Sequence, residues 1–168
     1  MRRAAARGAI ERKNLVGFCL QEVSYAIDIF RVREIIKPLP VHRLPALPPA
    51  VIGVAYHRGE VMPVLDLRER FGLPAEEDTG KDRWIVVKRG ERTVALAAER
   101  VTEVFGVDHS QQRSIPEIGL GGDTLAISAV YADRGTLVFV IDVDRVTAVA
   151  EKVDLGAALR VLRESENK

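Results

Sequence analysis

The chain has 168 residues, a formal net charge of +1, 47% apolar residues and 29% charged ones. A chain of that length buries roughly 70% of its unfolded surface without staples, and the composition belongs to a globular domain, not a disordered segment. No apolar run approaches the ~20 residues of a membrane-spanning helix, no apolar stretch follows the N-terminal arginines as a secretory signal requires, and a single cysteine, Cys19, excludes an internal disulfide and a cysteine-rich zinc site.

Charge is uneven along the chain. Residues 1–14 carry Arg2, Arg3, Arg7, Arg12 and Lys13 against Glu11 alone, or +4, which leaves −3 for the rest. A basic leader can touch nucleic acid or an anionic membrane. The body adds no basic stripe interleaved with aromatics, so residues 1–13 are expected to be a solvated, flexible leader and nucleic acid is not an expected partner. Behind it, LVGFCL (15–20) and VSYAI (23–27) flank the polar pair Gln21-Glu22 and predict an opening hairpin. VREII (32–36) is a further strand, ending at Lys37-Pro38. The proline-rich stretch 38–50 is neither helix nor central strand and is expected to cross the surface as a rigid connection.

Three hairpins then share one pattern: 51–57 with 60–67, 84–88 with 92–98, and 125–132 with 136–142, each turning at an Arg-Gly pair. Glycine supplies the positive φ of a tight turn without a Cβ penalty. Each second strand ends in an acid, Asp66, Glu99 or Asp142, placed to cap a short helical tail. Polar links are expected at 75–82 and, rich in glycine, at 110–123. Leu155, Ala158, Leu159 and Leu162 follow helical spacing behind Asp154 as N-cap. That C-terminal helix either packs on the body or presents itself to a partner. A weak internal repeat in an all-β chain predicts two related small barrels and not one large sandwich.

Motifs of catalysis are missing. His42, His57 and His109 lack metal-ligand spacing, no phosphate-binding glycine loop follows a strand, and GLGGD (119–123) lacks the lysine. Cys19 lies in an apolar strand with no base beside it, and no serine has the nucleophile-elbow context. No catalytic residue, metal or cofactor is therefore expected, and the chain reads as a binding module. Arg58, at a turn tip between two apolar strands, is either a solvated turn residue or a bidentate anchor for a partner's carboxylate; composition leaves both open.

Three stretches resemble the CheW family of chemotaxis coupling proteins, over about residues 14–150. VSYAIDIFRVREI (23–35) looks like the family's Y-(G/A)-I-D-I-x-x-V-x-E-I signature. RLPALPPAVIGVAYHRGEVMPVLDLRERFG (43–72) is similar to its I-P-x-x-P-x-x-I-x-G-V-x-N-L-R-G-x-x-x-P-V-x-D-L segment, and VALAAERVTEVFGV (94–107) to its strand followed by V-x-x-V.

The resemblance implies two intertwined five-stranded SH3-like barrels over 14–150, with short helical turns and a C-terminal helix and tail at 151–168. It implies a non-catalytic, cytoplasmic adaptor that couples chemoreceptor tips to the regulatory domain of a CheA-type histidine kinase, with other CheW-like domains as further neighbours and the membrane reached only through receptors. Val32, Glu34 and Ile35 match the V-x-E-I positions of the receptor-facing groove; Gly53 matches its small residue and Arg58 its arginine. Arg113 and Ile118 align with a contact loop of the second barrel, where coupling and kinase domains alternate into rings. Three departures stand out: Tyr56-His57 replaces Asn-Leu, Gln112 replaces an apolar residue, and Arg33 stands where a neutral polar one is usual. The first of them leaves open a diverged module that docks another regulator in a non-standard pathway.

Overall fold

The computed structural model describes residues 11–74, 80–115 and 126–167. These form two sheets and three α-helices. The chain opens with β1 (Lys13–Leu20) and β2 (Val23–Asp28), a hairpin turning at Gln21, and continues through a 3-10 turn (Ile29–Arg31) into β3 (Val32–Ile36). The proline-rich stretch follows as a strap. It touches the sheet through one bridge, in which His42 and Val54 exchange backbone hydrogen bonds of 2.8 and 2.9 Å. Then come β4 (Val51–His57), β5 (Glu60–Asp66) and α1 (Leu67–Arg70); β6 (Arg83–Arg89), β7 (Arg92–Ala98) and β8 (Arg100–Val107); β9 (Gln112–Arg113), β10 (Ile127–Asp133), β11 (Thr136–Ile141), α2 (Val143–Val146) and α3 (Leu155–Glu166).

One sheet runs β8-β1-β2-β11-β10-β9 and the other β3-β6-β7-β5-β4. Under the correspondence of β3 with β8, β6 with β1, β7 with β2, β5 with β11 and β4 with β10, the two orders are the same. Two tandem repeats therefore exchange strands. The first gives β1 and β2 to one sheet and β3, β4 and β5 to the other; the second does the reverse. The match extends to detail. Ala50 and Ala126 both have left-handed backbone, as do Arg58 and Arg134. The amides of Asp66 and Asp142 bond the carbonyls of Ala50 and Ala126 at 2.8 and 2.7 Å. Every one of these pairs is 76 residues apart.

Each sheet is apolar on both faces, which explains why the strands read as unbroken apolar runs and not as alternating ones. Along β6, Ile85 and Val87 point into a central core with Phe18, Leu20, Tyr25, Ile27, Leu65 and Leu96. Trp84 and Val86 point the other way, into a smaller core with Ala55, Met62, Val64 and Ala95. The six-stranded sheet has its own counterpart in Leu15, Ala26, Val107, Tyr131, Val138 and Val140. The central core thus joins two barrels that each keep a private one.

Arginines of the first barrel grip α2 and the segment after it. Arg31 pairs with Asp144 at 2.7 Å, Arg89 pairs with Glu151 at 3.0 Å, and Arg92 donates to the carbonyls of Ala150, Glu151 and Val153 at 3.0–3.3 Å. Arg31 holds the exposed Asp144 carboxyl below the ordinary carboxylate range.

Several expectations need correction. Asp66 and Asp142 do cap helical turns, accepting from the amides of Arg68 and Arg145. Glu99 does not: the chain behind it continues as β8, because β1 has an open edge to fill. The Glu99 carboxylate instead accepts the Gln21 amide at 2.8 Å and lies 3.9 Å from Arg68. The middle hairpin turns at Gly90-Glu91 and not at Arg89-Gly90, since Arg89 pairs with Arg92 inside the ladder. Asp154 caps α3 through the Ala157 amide at 3.0 Å and Ala158 is fully buried, but Leu159, at the flank of the same face, is exposed. The three hairpins are not one repeated unit: the hairpin of β6 and β7 corresponds to that of β1 and β2, and the hairpin of β4 and β5 to that of β10 and β11, within the two intertwined barrels that were expected.

Candidate protein-docking site

β3 and β4 are opposite edges of the five-stranded sheet, yet Glu34 on β3 and His57 on β4 lie 2.7 Å apart. The sheet is therefore rolled until its edges meet, and side chains close the seam. The distance suits a charge-assisted bond in which His57 Nε2–H donates to Glu34 Oε1. That proton assignment means the 3.2 Å approach of Arg58 Nε to the same nitrogen is a packing contact. Arg58 engages the acid directly, Nη2 to Oε2 at 3.3 Å. One carboxylate thus carries an imidazole on one oxygen and a guanidinium on the other. A second rung lies beside it. The Thr93 hydroxyl donates to Glu60 at 2.8 Å, and Arg33 reaches Glu60 at 3.4 Å and Thr93 at 3.2 Å. These bonds, the threonine's first, hold the Glu60 carboxyl below its usual range.

Arg58 owes its position to the turn. Arg58 (φ 51°) and Gly59 (φ 80°) both have left-handed backbone, the requirement of the tight hairpin turn that matches strand twist. The tip lifts the Arg58 side chain out of the sheet, 71% exposed, while Glu34 holds the guanidinium through one Nη. Beside the pair stand two apolar side chains open to solvent, Ile35 at 40% and Tyr56 at 60%. Val32 is half-buried and packs on the central core, so it supports the rim from beneath. Gly53 is crowded by the molecule itself: a Cβ there would lie 2.5 Å from both the His42 carbonyl oxygen and Val41 Cγ1. Its lack of a side chain is what lets the strap seat on β4.

Glu34, Ile35 and Arg58 thus gather at one rim, with Val32 beneath. Arg113 lies elsewhere, on β9 at the edge of the six-stranded sheet, exposed and donating to the carbonyls of Ser110 and Gln112 at 3.0 Å. Ile118 lies outside the described residues. Two participants escaped the motif reading. His57 entered it only as a departure, although its place directly before Arg58 on an edge strand was the available signal, and Arg33 pairs with a strand it does not adjoin. Cys19 is buried and accepts from Arg100 at 3.4 Å. Among the described residues, no three His, Cys, Asp or Glu side chains converge as metal ligands, and no helix is long and apolar enough to cross a membrane. The arrangement offers a charged, hydrogen-bonded rim beside an apolar step, which suits capture of a protein surface.

A family model described as the CheW-like domain matches residues 14–151. The chain belongs to the CheW family. It is 31% identical over 135 residues to the chemotaxis protein CheW of Bacillus subtilis, covering 80% of this chain and 86% of that one. It is 34% identical over 102 residues to CheW of Helicobacter pylori, where the match spans 61% of this chain and 62% of the relative. Among solved structures, the scaffolding protein TtCheW from Thermoanaerobacter tengcongensis superimposes with a TM-score of 0.76 at 27% identity, over 86% of this chain and 99% of that one. The two strand-exchanged units are accordingly the SH3-like barrels of a CheW protein. The Glu34–His57–Arg58 cluster and the strap over Gly53 lie inside the matched CheW domain.

Proposed function

We propose that this CheW protein is an adaptor that acts by binding alone, holding a chemoreceptor tip and the regulatory domain of a CheA-type kinase together at cytoplasmic receptor arrays. The single observation that carries the receptor half is the rim on the first barrel. Glu34 and Arg58 present an acceptor and a donor side by side, locked by His57, next to the apolar step of Ile35 and Tyr56. A receptor helix seats its apolar edge on that step, and the ion pair fixes its register. Val32 and Gly53 serve this from within, Val32 as packing under the rim and Gly53 by admitting the strap. The kinase docks apart from this rim, with Arg113 and Ile118 as contacts on the second barrel. The body over 14–150 does the docking; the basic leader 1–13 and the tail 151–168 lie outside it. Two weak contacts held in one array gain avidity from high effective concentration.

Titration calorimetry with a soluble receptor-tip fragment tests the receptor half. Arg58→Ala is expected to weaken binding by about 1–2 kcal/mol, roughly five- to thirty-fold, with an unchanged circular-dichroism melt. Ile118→Asp is expected to lower capture of the kinase domain and spare the receptor. An isotherm that Arg58→Ala leaves unmoved refutes the receptor assignment. Recovery of an unrelated regulator in place of kinase and receptor points to the diverged module.

A further inference from the structure

We propose that the second barrel carries a second docking site of the same kind, built on Val101, Glu103, Val104 and Arg134, which takes the same class of partner: a helix with an apolar edge flanked by one acidic and one basic side chain. The inference rests on the assignment of the first rim and extends it through the internal repeat. Val101, Glu103 and Val104 stand 69 residues after Val32, Glu34 and Ile35, on the strand that occupies the same edge of its sheet. Arg134 stands 76 residues after Arg58. Its turn has the same backbone, with φ of 48° and 79° at Arg134 and Gly135 against 51° and 80° in the first.

The side chains repeat the chemistry. Arg134 reaches Glu103 at 3.6 Å, as Arg58 reaches Glu34 at 3.3 Å, and the two guanidiniums are equally exposed, at 73% and 71%. Val101, like Val32, packs half-buried on the central core, and Val104 replaces Ile35 as the exposed aliphatic, at 57%. The apolar step is kept by a swap across the hairpin. In the first barrel the second rung from the turn pairs Tyr56 with Val61, and Tyr56 is the exposed side chain. The corresponding rung of the second pairs Ala132 with Leu137, and Leu137 is exposed at 48%. Cross-strand neighbours share one face of a hairpin, so the bulky group changes strand without leaving its place. Each rim offers a guanidinium paired with the carboxylate of the edge strand beside an apolar step, and the complement of both is the same: a polar-flanked apolar helix edge.

One difference ranks the two sites. Asp133 stands where His57 stands in the first barrel, and a carboxylate cannot donate to Glu103 as the imidazole donates to Glu34. Arg134 is shared between Glu103 and Asp133, at 3.6 and 4.0 Å. The seam stays open as a cleft of about 250 Å³ lined by Gly17, Cys19, Arg100, Thr102, Glu103 and Thr136, among others. A less fixed acid makes a weaker rim, and the second site is expected to bind about tenfold less tightly than the first.

Titration calorimetry and sedimentation equilibrium of the full chain with excess receptor-tip fragment decide the matter. Asparagine tolerates left-handed backbone, so Arg58→Asn and Arg134→Asn remove each guanidinium without straining its turn, and Val104→Asp tests the apolar step independently. Wild type is expected to take two equivalents. Arg134→Asn and Val104→Asp each weaken the second equivalent and leave the tighter one unmoved, and Arg58→Asn weakens the first roughly five- to thirty-fold and leaves the second unmoved. One equivalent in wild type, unmoved by Arg134→Asn and Val104→Asp and weakened by Arg58→Asn, overturns this proposal and leaves the first rim standing. No binding by wild type overturns both.

Discussion

Gly53→Ala separates a structural role for this glycine from a purely interfacial one. The added Cβ would sit 2.5 Å from the His42 carbonyl oxygen and from Val41 Cγ1, and backbone at φ 156° has to carry it. Backbone on one side and a packed valine on the other leave no inexpensive relaxation, so the strap must lift. Lifting forfeits the two hydrogen bonds between His42 and Val54, 2.8 and 2.9 Å long, at about 1 kcal/mol each. Residual backbone strain adds roughly 1 kcal/mol. Val41 and Leu39, which cover the first barrel's private core, are uncovered as well. The expected loss is about 3 kcal/mol, and at roughly 2–4 °C per kcal/mol for a chain of this size the melting temperature falls by about 6–12 °C. Gly59→Ala is the control. It shares the left-handed requirement at φ 80°, yet nothing lies within 4 Å of its added Cβ, so it loses only the strain, about 1 kcal/mol. Differential scanning calorimetry of both variants reads the difference. A Gly53→Ala melt no lower than that of Gly59→Ala would refute the seating of the strap on β4.

The remaining predictions concern the clamp between barrels. Arg92→Ala releases three carbonyls of the turn before α3; it is expected to cost about 2 kcal/mol in urea unfolding and to speed proteolytic cleavage between residues 148 and 160, and a protease map like that of wild type would count against the clamp. Because Arg31 lowers the Asp144 pKa, that pair's stabilisation is present above the unfolded carboxylate pKa, about 3.9, and is lost as pH falls through the lower folded value. Asp144→Asn should therefore lower the stability read from urea unfolding slightly at pH 7, by well under 1 kcal/mol for so exposed a pair, and by less near pH 2. A variant that is equally displaced at both pH values contradicts the assignment.

Strands were legible in the sequence where apolar runs ended at turn residues. β3 and β4 fall at the expected residues, and the opening hairpin differs only at its outer ends. β8 was not, because RVTEVFGV carries three exposed polar side chains and follows an acid that resembles a cap; its strand character comes from the open edge of β1, a partner some eighty residues away. From the residue pattern alone the strand exchange was hidden for a similar reason, and the intertwined barrels were implied only by the family resemblance. Hairpins are local, whereas the parallel pairings of β2 with β11 and of β5 with β7 that build each barrel are not. At the candidate site, motif spacing put Glu34, Ile35 and Arg58 together, but the part played by His57 appears only once the rolled sheet brings its two edges within hydrogen-bonding reach. Gly53 shows the converse: its smallness was evident, while the neighbour demanding it, the proline-rich strap, became visible only in three dimensions.

Strand exchange also fixes what can count as a folding unit. Residues 13–71 alone would hold β3, β4 and β5 without the β6 and β7 that join them, and β1 and β2 without β11. The second half is left with the mirror deficit. Neither barrel is contiguous in the chain, so neither has an independent melting transition to lose, and local damage in one is felt as a loss of cooperativity in both. Two separately expressed halves would be obligate complements, each unable to close a sheet until it meets the other. On the proposed adaptor role, this makes the distance between the two docking faces as durable as the fold itself.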